Sequence, residues 1–489
     1  MTARTFTPHA RRLGNYAVTL AAGVGQILAA IYLSRQAFKF FDEQDLKIWF
    51  LMLAAMPFLA LFELGANVVL PHRLAAVNYE PQDIGRIASN FIATVCLVLG
   101  GVTLAGGAAL WLCARLDVLG AHAAWLLAAL GLASATRILA NVMHSLLYAE
   151  GDNLYDKSLR VAAILVMTAV ITIGLHNALS LWAMPLGWAA AGMTSICVAL
   201  YRQRVRWRVR LRLAYLRRDS VLATLREALR YVFIALPGQL VFNATPFIIA
   251  SRLPAQYTVA FGLTQQLIGG ISIVVGLPIT VATPRLAGTF RVDKARARAL
   301  LLGTMANAAV ISAAALSLVA VSVDQITTAW VGHPVPIEAV FLGTYFIVMF
   351  IEWQQTAATT AVMATGDLNF ATVTVLSAIL VVTTMPLFIQ HFGFLGVPLT
   401  LLTAQMLTCH PHNFWKAFRA YRIGLAGYLP KLLPALLVAA LVIGAGTGLR
   451  GLDLPVLLQL LAAGCVTALL CAAGLYMNRA PVEPIEAHK

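Results

Sequence analysis

Three charged residues lie inside long apolar stretches of this 489-residue chain, and their side chains are of the types that could do chemistry there. They are Glu63, Arg137 and Glu352. A charge within a bilayer is costly, so such a residue marks a substrate or ion path or pairs with another charge. The arginine would attract an anion such as phosphate, whereas each carboxylate would attract a cation or carry a proton.

Two of these charges begin polar stripes at helical spacing. Arg137, Asn141 and His144 share one helix face, at positions i, i+4 and i+7. The second stripe contains Glu352, Thr356, Thr359 and Thr360, widened by Gln354 and Gln355. The two stripes form either a surface that acts in transport or a static ion pair that only holds the fold.

Further polar candidates occur once in each half of the chain. They are the amides Gln26 and Asn243, the arginines Arg35 and Arg252, and the arginines Arg73 and Arg285. The amides would donate hydrogen bonds to hydroxyl groups of a ligand or to a neighbouring helix, and the pair Glu63 and Asn67 allows the same two interpretations. The five arginines named so far outnumber the two glutamates, Glu63 and Glu352, and this excess of positive charge favours an anionic ligand group.

The composition identifies the elements that must position these residues. Hydrophobic residues make up 60% of the chain and charged residues 11%, against about 25% charged in soluble domains. With a mean hydropathy of +0.81, the chain cannot cover a globule with polar surface. We therefore predict an integral membrane protein and exclude a soluble enzyme, a disulfide scaffold and a nucleic-acid-binding domain.

Apolar runs of about 20 residues, the length that crosses a bilayer, occur fourteen times, although soft boundaries leave twelve or thirteen open. They lie near 13–34, 48–70, 89–113, 123–147, 161–176, 181–201, 231–251, 259–283, 299–322, 336–363, 370–389, 394–412, 432–448 and 455–476. The fold class predicted from these runs is an all-α polytopic membrane protein.

The positions of Lys and Arg predict the orientation. With the N-terminus inside, the basic residues of the connections lie on the inner side, except Arg35, Lys39, Lys47, Arg115, Arg252 and Arg450. This bias predicts that both termini are cytoplasmic. Arg11 and Arg12 before an apolar stretch resemble a signal peptide, but the stretch is longer than the usual 7 to 15 residues, and we expect it to be retained.

Short strings recur in the second half of the chain at an offset near 215. The matching pairs are Gln26 and Asn243, Arg35 and Arg252, Arg73 and Arg285, Asp152 and Asp367, and His176 and His391. Arg137 and Glu352 keep the same 215-residue offset. We infer two six-helix lobes related by a pseudo-two-fold axis along the membrane normal, plus two further helices, with the substrate path expected between the lobes.

The duplication sets the predicted domain boundaries. We expect an N-lobe at 1–201, a cytoplasmic basic connection at 202–230, a C-lobe at 231–412, a loop and two helices at 413–476, and a cytoplasmic tail at 477–489. Arginine occupies every second position from 202 to 212. This segment either lies extended on anionic headgroups or serves only to fix the topology.

Together, these features resemble the multidrug/oligosaccharidyl-lipid/polysaccharide (MOP) superfamily of exporters, whose fold is MATE-like. The stretch IWFLMLAAMPFLALFELGANVVLPHRLA, with its Glu63-Leu64-Gly65 element, resembles the opening of the polysaccharide-transporter or Wzx-type flippases. The stretch GDLNFATVTVLSAILVVTTMPLFIQHFGFLGVPL from Gly366 resembles that family's eleventh helix and the turn that follows it.

The resemblance implies a function in the bacterial inner membrane. It implies alternating-access export of an undecaprenyl-pyrophosphate-linked oligosaccharide from the cytoplasmic to the periplasmic leaflet, for O-antigen, capsule or exopolysaccharide assembly. The partners expected are this lipid-linked glycan, membrane lipids and downstream polysaccharide polymerase machinery. No nucleic acid is expected.

Two alternatives remain open at the level of sequence. A MATE-type multidrug cation antiporter would need a protonatable acid in its cavity, which Glu63 or Glu352 could supply. A membrane-embedded glycosyltransferase, O-antigen ligase or polymerase would need a large periplasmic loop, and the predicted outer connections are short. We therefore expect a transporter and no enzyme.

No cofactor or metal is expected. The chain has no G-x-x-x-x-G-K-[ST] motif, so ATP is not the predicted direct energy source. Cys409, His410 and His412 lie together, but no carboxylate or further cysteine lies nearby in sequence to complete a metal site. The six cysteines show no paired spacing and fit small apolar positions.

Overall fold

The computed structural model describes residues 8–66, 70, 73–74, 81–115, 121–149, 152–207, 211–367, 369–452 and 455–478. Every regular element within these ranges is helical. An apolar chain in lipid has no water to satisfy its peptide groups, so helices that pair those groups internally are the stable outcome. The described residues form two compact units, Met1–Gln239 and Leu240–Lys489.

Within the described part of the first unit, the helices are six complete ones and most of a seventh. They are α1 Pro8–Phe40, α2 Glu43–Leu59, α3 Pro81–Arg115, α4 Ala121–Ala149, α5 Asn153–His176, α6 Ala183–Arg202 and α7 Arg218–Asn243. Buried Phe91, Ile138, Val142 and Ala199 form its core, where α3, α4 and α6 meet. This packing leaves the polar face of α4 directed towards α2, α5 and α6.

The second unit contains the remaining helices. They are α8 Thr245–Arg252, α9 Ala255–Val292, α10 Lys294–Val331, α11 Ala339–Ala364, α12 Ala371–Phe392, α13 Gly396–Leu407, α14 Cys409–Tyr421, α15 Leu425–Tyr428, α16 Leu433–Arg450 and α17 Val456–Met477. Asp293 caps the start of α10 by accepting a hydrogen bond from the Arg296 backbone N–H at 2.9 Å. Buried Leu301, Met305 and Ala358 form part of the core between α10 and α11.

Ten helical segments of the described residues are long and apolar enough to cross a membrane. The prediction of an all-helical, multi-pass membrane protein is therefore confirmed. Helices occupy all fourteen predicted positions, but α1, α7 and α11 are not among the ten, and α12 with α13 counts as one segment. The number fourteen stays a prediction.

Two predicted spans are each divided into two helices. The 231–251 run breaks after Asn243, and the 394–412 run breaks at Thr408. Pro246 and Pro411 lie in the first turns of the helices that follow. Proline has no N–H to donate to the carbonyl four residues earlier, so the apolar run continues but the helix restarts.

The basic connection is not an extended strand throughout. Residues Gln203–Trp207 continue α6 as a π-helix, and Leu213–Tyr215 form a 3₁₀ turn. The extended interpretation is therefore wrong for 203–207, because the backbone stays helical through Trp207. Residues 208–210 lie outside the described part of the chain.

One turn supports the internal duplication in structural detail. In the first unit, Arg202 Nε donates to Asp152 Oδ2 at 2.8 Å. The guanidinium of Arg202 also lies over the ring of Tyr155, with Cζ at 4.4 Å from the ring centroid. Asp152 thus ties the start of α5 to the end of α6.

The second unit repeats this arrangement at an offset of 214 or 215 residues. Lys416 Nζ lies 3.0 Å from Asp367 Oδ2 and 4.6 Å from the centroid of the Phe370 ring. The acid, the aromatic residue and the base therefore recur in the same order and with the same contacts. Chance repetition of apolar residues does not explain two matched contacts made by three corresponding residues.

Candidate functional site

The polar face of α4 is the centre of the candidate site, and each of its three predicted residues contacts a different neighbour. The Arg137 guanidinium lies over the ring of Trp188 on α6, with Cζ at 5.4 Å from the ring centroid. Arg137 Nη1 also lies 3.9 Å from the sulfur of Met167 on α5. Among the described residues, Arg137 forms no salt bridge. Its N–H donors are therefore not spent on a carboxylate.

A close approach of α6 to α4 positions Trp188. A Cβ built on Gly192 would lie 2.8 Å from the Thr136 carbonyl carbon, so only glycine allows this distance. Trp188 is one turn before Gly192 and is 2% exposed. The small Gly192 thus lets α6 approach α4 closely, and this approach places the Trp188 indole against Arg137, the residue after Thr136.

Asn141 contacts the predicted acid Glu63. Its Nδ2 donates to Glu63 Oε1 at 2.6 Å. Glu63 ends the 3₁₀ turn Ala60–Glu63, after which Leu64 and Gly65 take φ values of 56° and 66°. The predicted 48–70 helix is therefore broken, because this left-handed step turns the chain after Glu63. Asn67, the predicted neighbour of Glu63, lies outside the described residues.

His144 lies at the centre of a network that sequence reasoning missed, in which His144, Asp156 and Ser195 are buried. Its Nδ1 is 2.7 Å from Asp156 Oδ1, and its Nε2 is 3.3 Å from Ser195 Oγ. Asp156 also accepts from Arg160 Nε, at 3.3 Å to both oxygens, and lies 3.7 Å from Lys157 Nζ. The carboxylate is 0% exposed, and two cations compensate its charge.

The inference that Glu63 and Glu352 are the only acids within spans is therefore wrong. The predicted 161–176 run excluded Asp156 and Arg160, whereas α5 begins eight residues earlier and its membrane-crossing segment starts at Leu154. The signal was the length of that run, which is shorter than the about 20 residues that a bilayer requires. Extending it backwards places both charges inside the span.

The order carboxylate, imidazole and hydroxyl is also that of a nucleophilic triad. Here Ser195 is 2% exposed and His144 is 3% exposed. A substrate carbonyl therefore has no access to the hydroxyl. The geometry instead supports a structural role, in which the network fixes α4 against α5 and α6. Arg160 donates to Asp156 and also attracts the carboxylate of Glu63 electrostatically.

The stripe on α11 of the second unit has a different character. Glu352 is half-buried, and its Oε2 accepts no hydrogen bond from the described residues. Gln355 contacts His410 Nδ1 through its side-chain oxygen, and Tyr428 Oη lies 3.0 Å from Gln354 Oε1. The same part of the chain provides no cationic partner for Glu352.

The remaining predicted residues lie elsewhere. Gln26 and Arg35 are exposed on α1, Arg252 and Arg285 are exposed on α8 and α9, and Asn243 is half-buried at the end of α7. Their roles stay predictions. The structure groups Arg137, Asn141, His144 and Glu63 in the first unit and Glu352 with Gln355 in the second.

Arg73 is engaged in a local contact. Its Nη2 lies 2.6 Å from Glu227 Oε2, and its Nη1 donates to Thr224 Oγ1 at 2.6 Å. Both partners lie on α7. In this structure, Arg73 therefore anchors the start of α7, and an anion would have to compete with Glu227 for it.

No family model and no curated protein matches the sequence. Several solved protein structures, however, align with the structure of this chain. The lipid II flippase MurJ, in an inward closed conformation, aligns with a TM-score of 0.70 at 11% identity, over 95% of this chain and 98% of that chain. An inward-facing multidrug resistance MATE transporter aligns with a TM-score of 0.63 at 12% identity, over 84% and 95% of the two chains.

A MOP superfamily transporter from Pyrococcus furiosus aligns with a TM-score of 0.61 at 13% identity, over 84% of this chain and 96% of that chain. Identities this low establish the fold and leave the substrate open. The chain therefore has the fold of the MOP superfamily transporters, as the resemblance in its sequence implied.

Proposed function

We propose that this chain is a Wzx-type flippase that moves an undecaprenyl-pyrophosphate-linked oligosaccharide from the cytoplasmic to the periplasmic leaflet by alternating access. The setting would be O-antigen, capsule or exopolysaccharide assembly in the bacterial inner membrane. Both termini would lie in the cytoplasm, and downstream polymerase machinery would take up the product.

One observation carries the proposal, namely the state of the Arg137 guanidinium. It lies 13 residues into the segment Ala124–Tyr148, far from either end. An aromatic face holds it without using an N–H donor, and the Met167 thioether accepts from Nη1 alone, so most of its five donors bind no group among the described residues. An arginine with free donors inside a membrane is suited to bind a pyrophosphate in bidentate fashion.

The surroundings of Arg137 favour reversible binding of the anion. Glu63 lies within electrostatic range of Arg137, but it is not in contact with it and is hydrogen-bonded to Asn141 instead. The Glu63 carboxylate therefore lowers the energetic cost of keeping Arg137 charged inside the membrane when no anion is bound, and it leaves the arginine N–H donors unoccupied. The anion can therefore bind and leave without breaking a direct salt bridge.

The fold adds support at the level of substrate class. One solved structure with this fold carries the name lipid II flippase, and its alignment covers nearly the whole of both chains. A polyprenyl-linked glycan has a polar head that needs an enclosed path and a polyprenyl tail that stays in lipid. A protein built of two compact units is suited to alternating access, because each unit can move as a body while the substrate path opens first to one leaflet and then to the other.

The energy source would be the substrate's own charge. A pyrophosphate diester carries about two negative charges, and moving one charge outwards across 100 mV gains about 2.3 kcal/mol. Polymerisation in the periplasm would trap the product and add to this gain. We therefore propose that export needs no obligatory counter-ion.

Glu352 favours a second candidate function. Its buried oxygen without a hydrogen bond, on a helix of the second unit, is suited to bind a cationic drug or a coupling proton. A MATE-type cation antiporter is thus the alternative. It would use Glu352 where the flippase uses Arg137.

Reconstituted vesicles separate the two candidates. Purified protein is inserted into vesicles that contain a fluorescent polyprenyl-pyrophosphate oligosaccharide, and the glycan in each leaflet is counted by its accessibility to an added glycosidase. We expect the protected pool to become accessible only when the protein is present. Efflux of a cationic dye, with no change in the glycan pool, would reject the flippase and favour the antiporter.

A further inference from the structure

The segment 211–218, which follows the π-helical end of α6, is held rigidly against α3. The Asn90 side chain donates to Tyr215 O at 3.0 Å and accepts from the Arg217 backbone N–H at 2.9 Å. Ser89 Oγ accepts from the Arg212 backbone N–H at 3.2 Å. Both anchoring side chains are buried, at 6% and 7% exposure. The backbone of this segment is therefore fixed in place.

The fixed segment exposes leucines outside the apolar spans. Leu213 is 86% exposed, and Leu211 and Leu216 are 36% and 38% exposed. The segment lies between the predicted apolar runs 181–201 and 231–251 and belongs to neither. Lipid tails in the span region do not account for this exposure. Leucines presented by a rigid segment indicate an apolar surface that covers them.

The same segment presents arginines without acidic partners. Arg204, Arg212, Arg217 and Arg218 are exposed, and none of them forms a salt bridge with the described residues. One acid, Asp219, follows directly in sequence. Arginines interspersed with exposed leucines match a surface that is anionic at the headgroups and apolar just below them.

We propose that residues 211–218, together with Arg204, form a docking surface for the anionic phospholipid headgroups of the cytoplasmic leaflet. The arginines bind headgroup phosphates, and the leucines enter the boundary between the headgroups and the acyl chains. The anchors on α3 give the surface its shape. This inference is independent of the transported substrate.

The test uses the full-length protein in detergent. Short-chain phosphatidylglycerol or phosphatidylcholine is titrated in, and the lipid concentration that gives half of the rise in unfolding temperature is measured. We expect the parent protein to respond at lower concentrations of phosphatidylglycerol than of phosphatidylcholine. The triple variant Arg212→Gln, Arg217→Gln, Arg218→Gln should need at least about tenfold more phosphatidylglycerol, since each arginine contributes roughly fivefold.

Matched variants separate a built surface from bulk charge. Arg291→Gln, Arg296→Gln, Arg298→Gln removes the same charge from exposed arginines of the second unit and should leave the phosphatidylglycerol response unchanged. Ser89→Ala and Asn90→Ala keep every arginine but release the backbone, and both should weaken the response. Leu213→Ser should weaken the response to both lipids.

Three outcomes would overturn the proposal. One is an equal response of the parent protein to the two lipids. Another is an equal loss of response in the two triple variants, which would show an effect of net charge alone. The third is stabilisation by soluble heparin as strong as that by phosphatidylglycerol, together with no effect of Leu213→Ser, which would indicate a polyanion in solution.

Discussion

The two units share a turn but differ in how they hold charge in their interiors. The acid, aromatic and base contacts around Asp152 recur around Asp367. In the first unit, Asp156 is compensated by Arg160 and Lys157. In the second unit, Glu352 has no cationic partner among the described residues.

Equivalent positions show how far the interiors have diverged. At an offset of 215, Arg137 corresponds to Glu352 and Asp156 to Ala371. The two halves thus share the contacts that join helices, whereas one interior position changes from arginine to glutamate and another from aspartate to alanine. The contrast teaches that the frame is common to both units, whereas the charge held in the interior differs from one unit to the other. The proposed function assigns the anion to the first unit.

The largest expected effect follows from removing the anion-binding charge. Arg137→Ala should lower glycan export about 100-fold or more, because a bidentate charged contact is lost. Membrane abundance should stay near normal, since the guanidinium forms no salt bridge with the described residues. Export is measured with the vesicle assay and abundance by immunoblot.

Arg115 provides a matched control for that variant. Its guanidinium lies over Trp111 at 4.9 Å, but both residues are exposed at the end of α3. Arg115→Ala should leave export unchanged. If abundance collapses in Arg137→Ala and in Glu352→Ala, and the double exchange Arg137→Glu, Glu352→Arg restores it, the two residues form a structural pair.

The second prediction concerns the compensated carboxylate. Asp156→Asn should lower the free energy of unfolding by about 1 to 3 kcal/mol, because buried His144 loses the charged acceptor of its hydrogen bond, while Arg160 and Lys157 are partly exposed. A fall in unfolding temperature and in membrane abundance would show it. A variant as stable as the parent would mean that the buried network contributes nothing to the first unit.

Glu352→Gln tests the uncompensated carboxylate in the same way. The amide keeps the shape and removes a charge that has no cationic partner among the described residues, so the unfolding temperature should stay equal or rise. Export should nevertheless be lost if Glu352 acts in transport. A destabilisation as large as that of Asp156→Asn would show that the two interiors are not different in kind.

The sequence could predict the helical frame because bilayer thickness dictates the length of the apolar spans. It also predicted the stripe of Arg137, Asn141 and His144, since a 3.6-residue period places them on one face. It could not predict the partners Trp188 and Ser195, because long-range contacts between helices leave no local pattern. Asp156 was missed because hydropathy assigns a charged first turn to the loop.

A smaller effect is expected at Trp188 and tests how Arg137 is held in position. Trp188→Leu removes a cation–π contact of about 0.5 to 2 kcal/mol and should raise the apparent KM for the glycan roughly 2- to 30-fold. Trp188→Phe keeps an aromatic face and should recover much of the affinity. An equal KM in the Leu and Phe variants would contradict a positioning role for the ring.

The smallest effect concerns the repeated turn. The Asn369 backbone N–H and Lys416 hold the pKa of Asp367 below its usual value. This stabilisation is therefore present at neutral pH and is lost as pH falls through the folded-state pKa. Asp367→Asn should change the free energy of unfolding by at most about 1 kcal/mol at pH 7, as for exposed pairs, and by less in acid. Unfolding temperatures at the two pH values check this, and a larger loss in acid would contradict the sign.

The most direct measurement compares two head groups in vesicles that contain the parent protein or Arg137→Ala. One lipid carries the oligosaccharide on a polyprenyl pyrophosphate, and the other carries the same oligosaccharide on an uncharged diacylglycerol. We predict that the parent protein flips the pyrophosphate-linked glycan at least about tenfold faster than the neutral one, and that Arg137→Ala removes this preference. Equal rates for the two lipids in the parent protein, or an unchanged preference in Arg137→Ala, would contradict the assignment of Arg137 as the anion-binding residue.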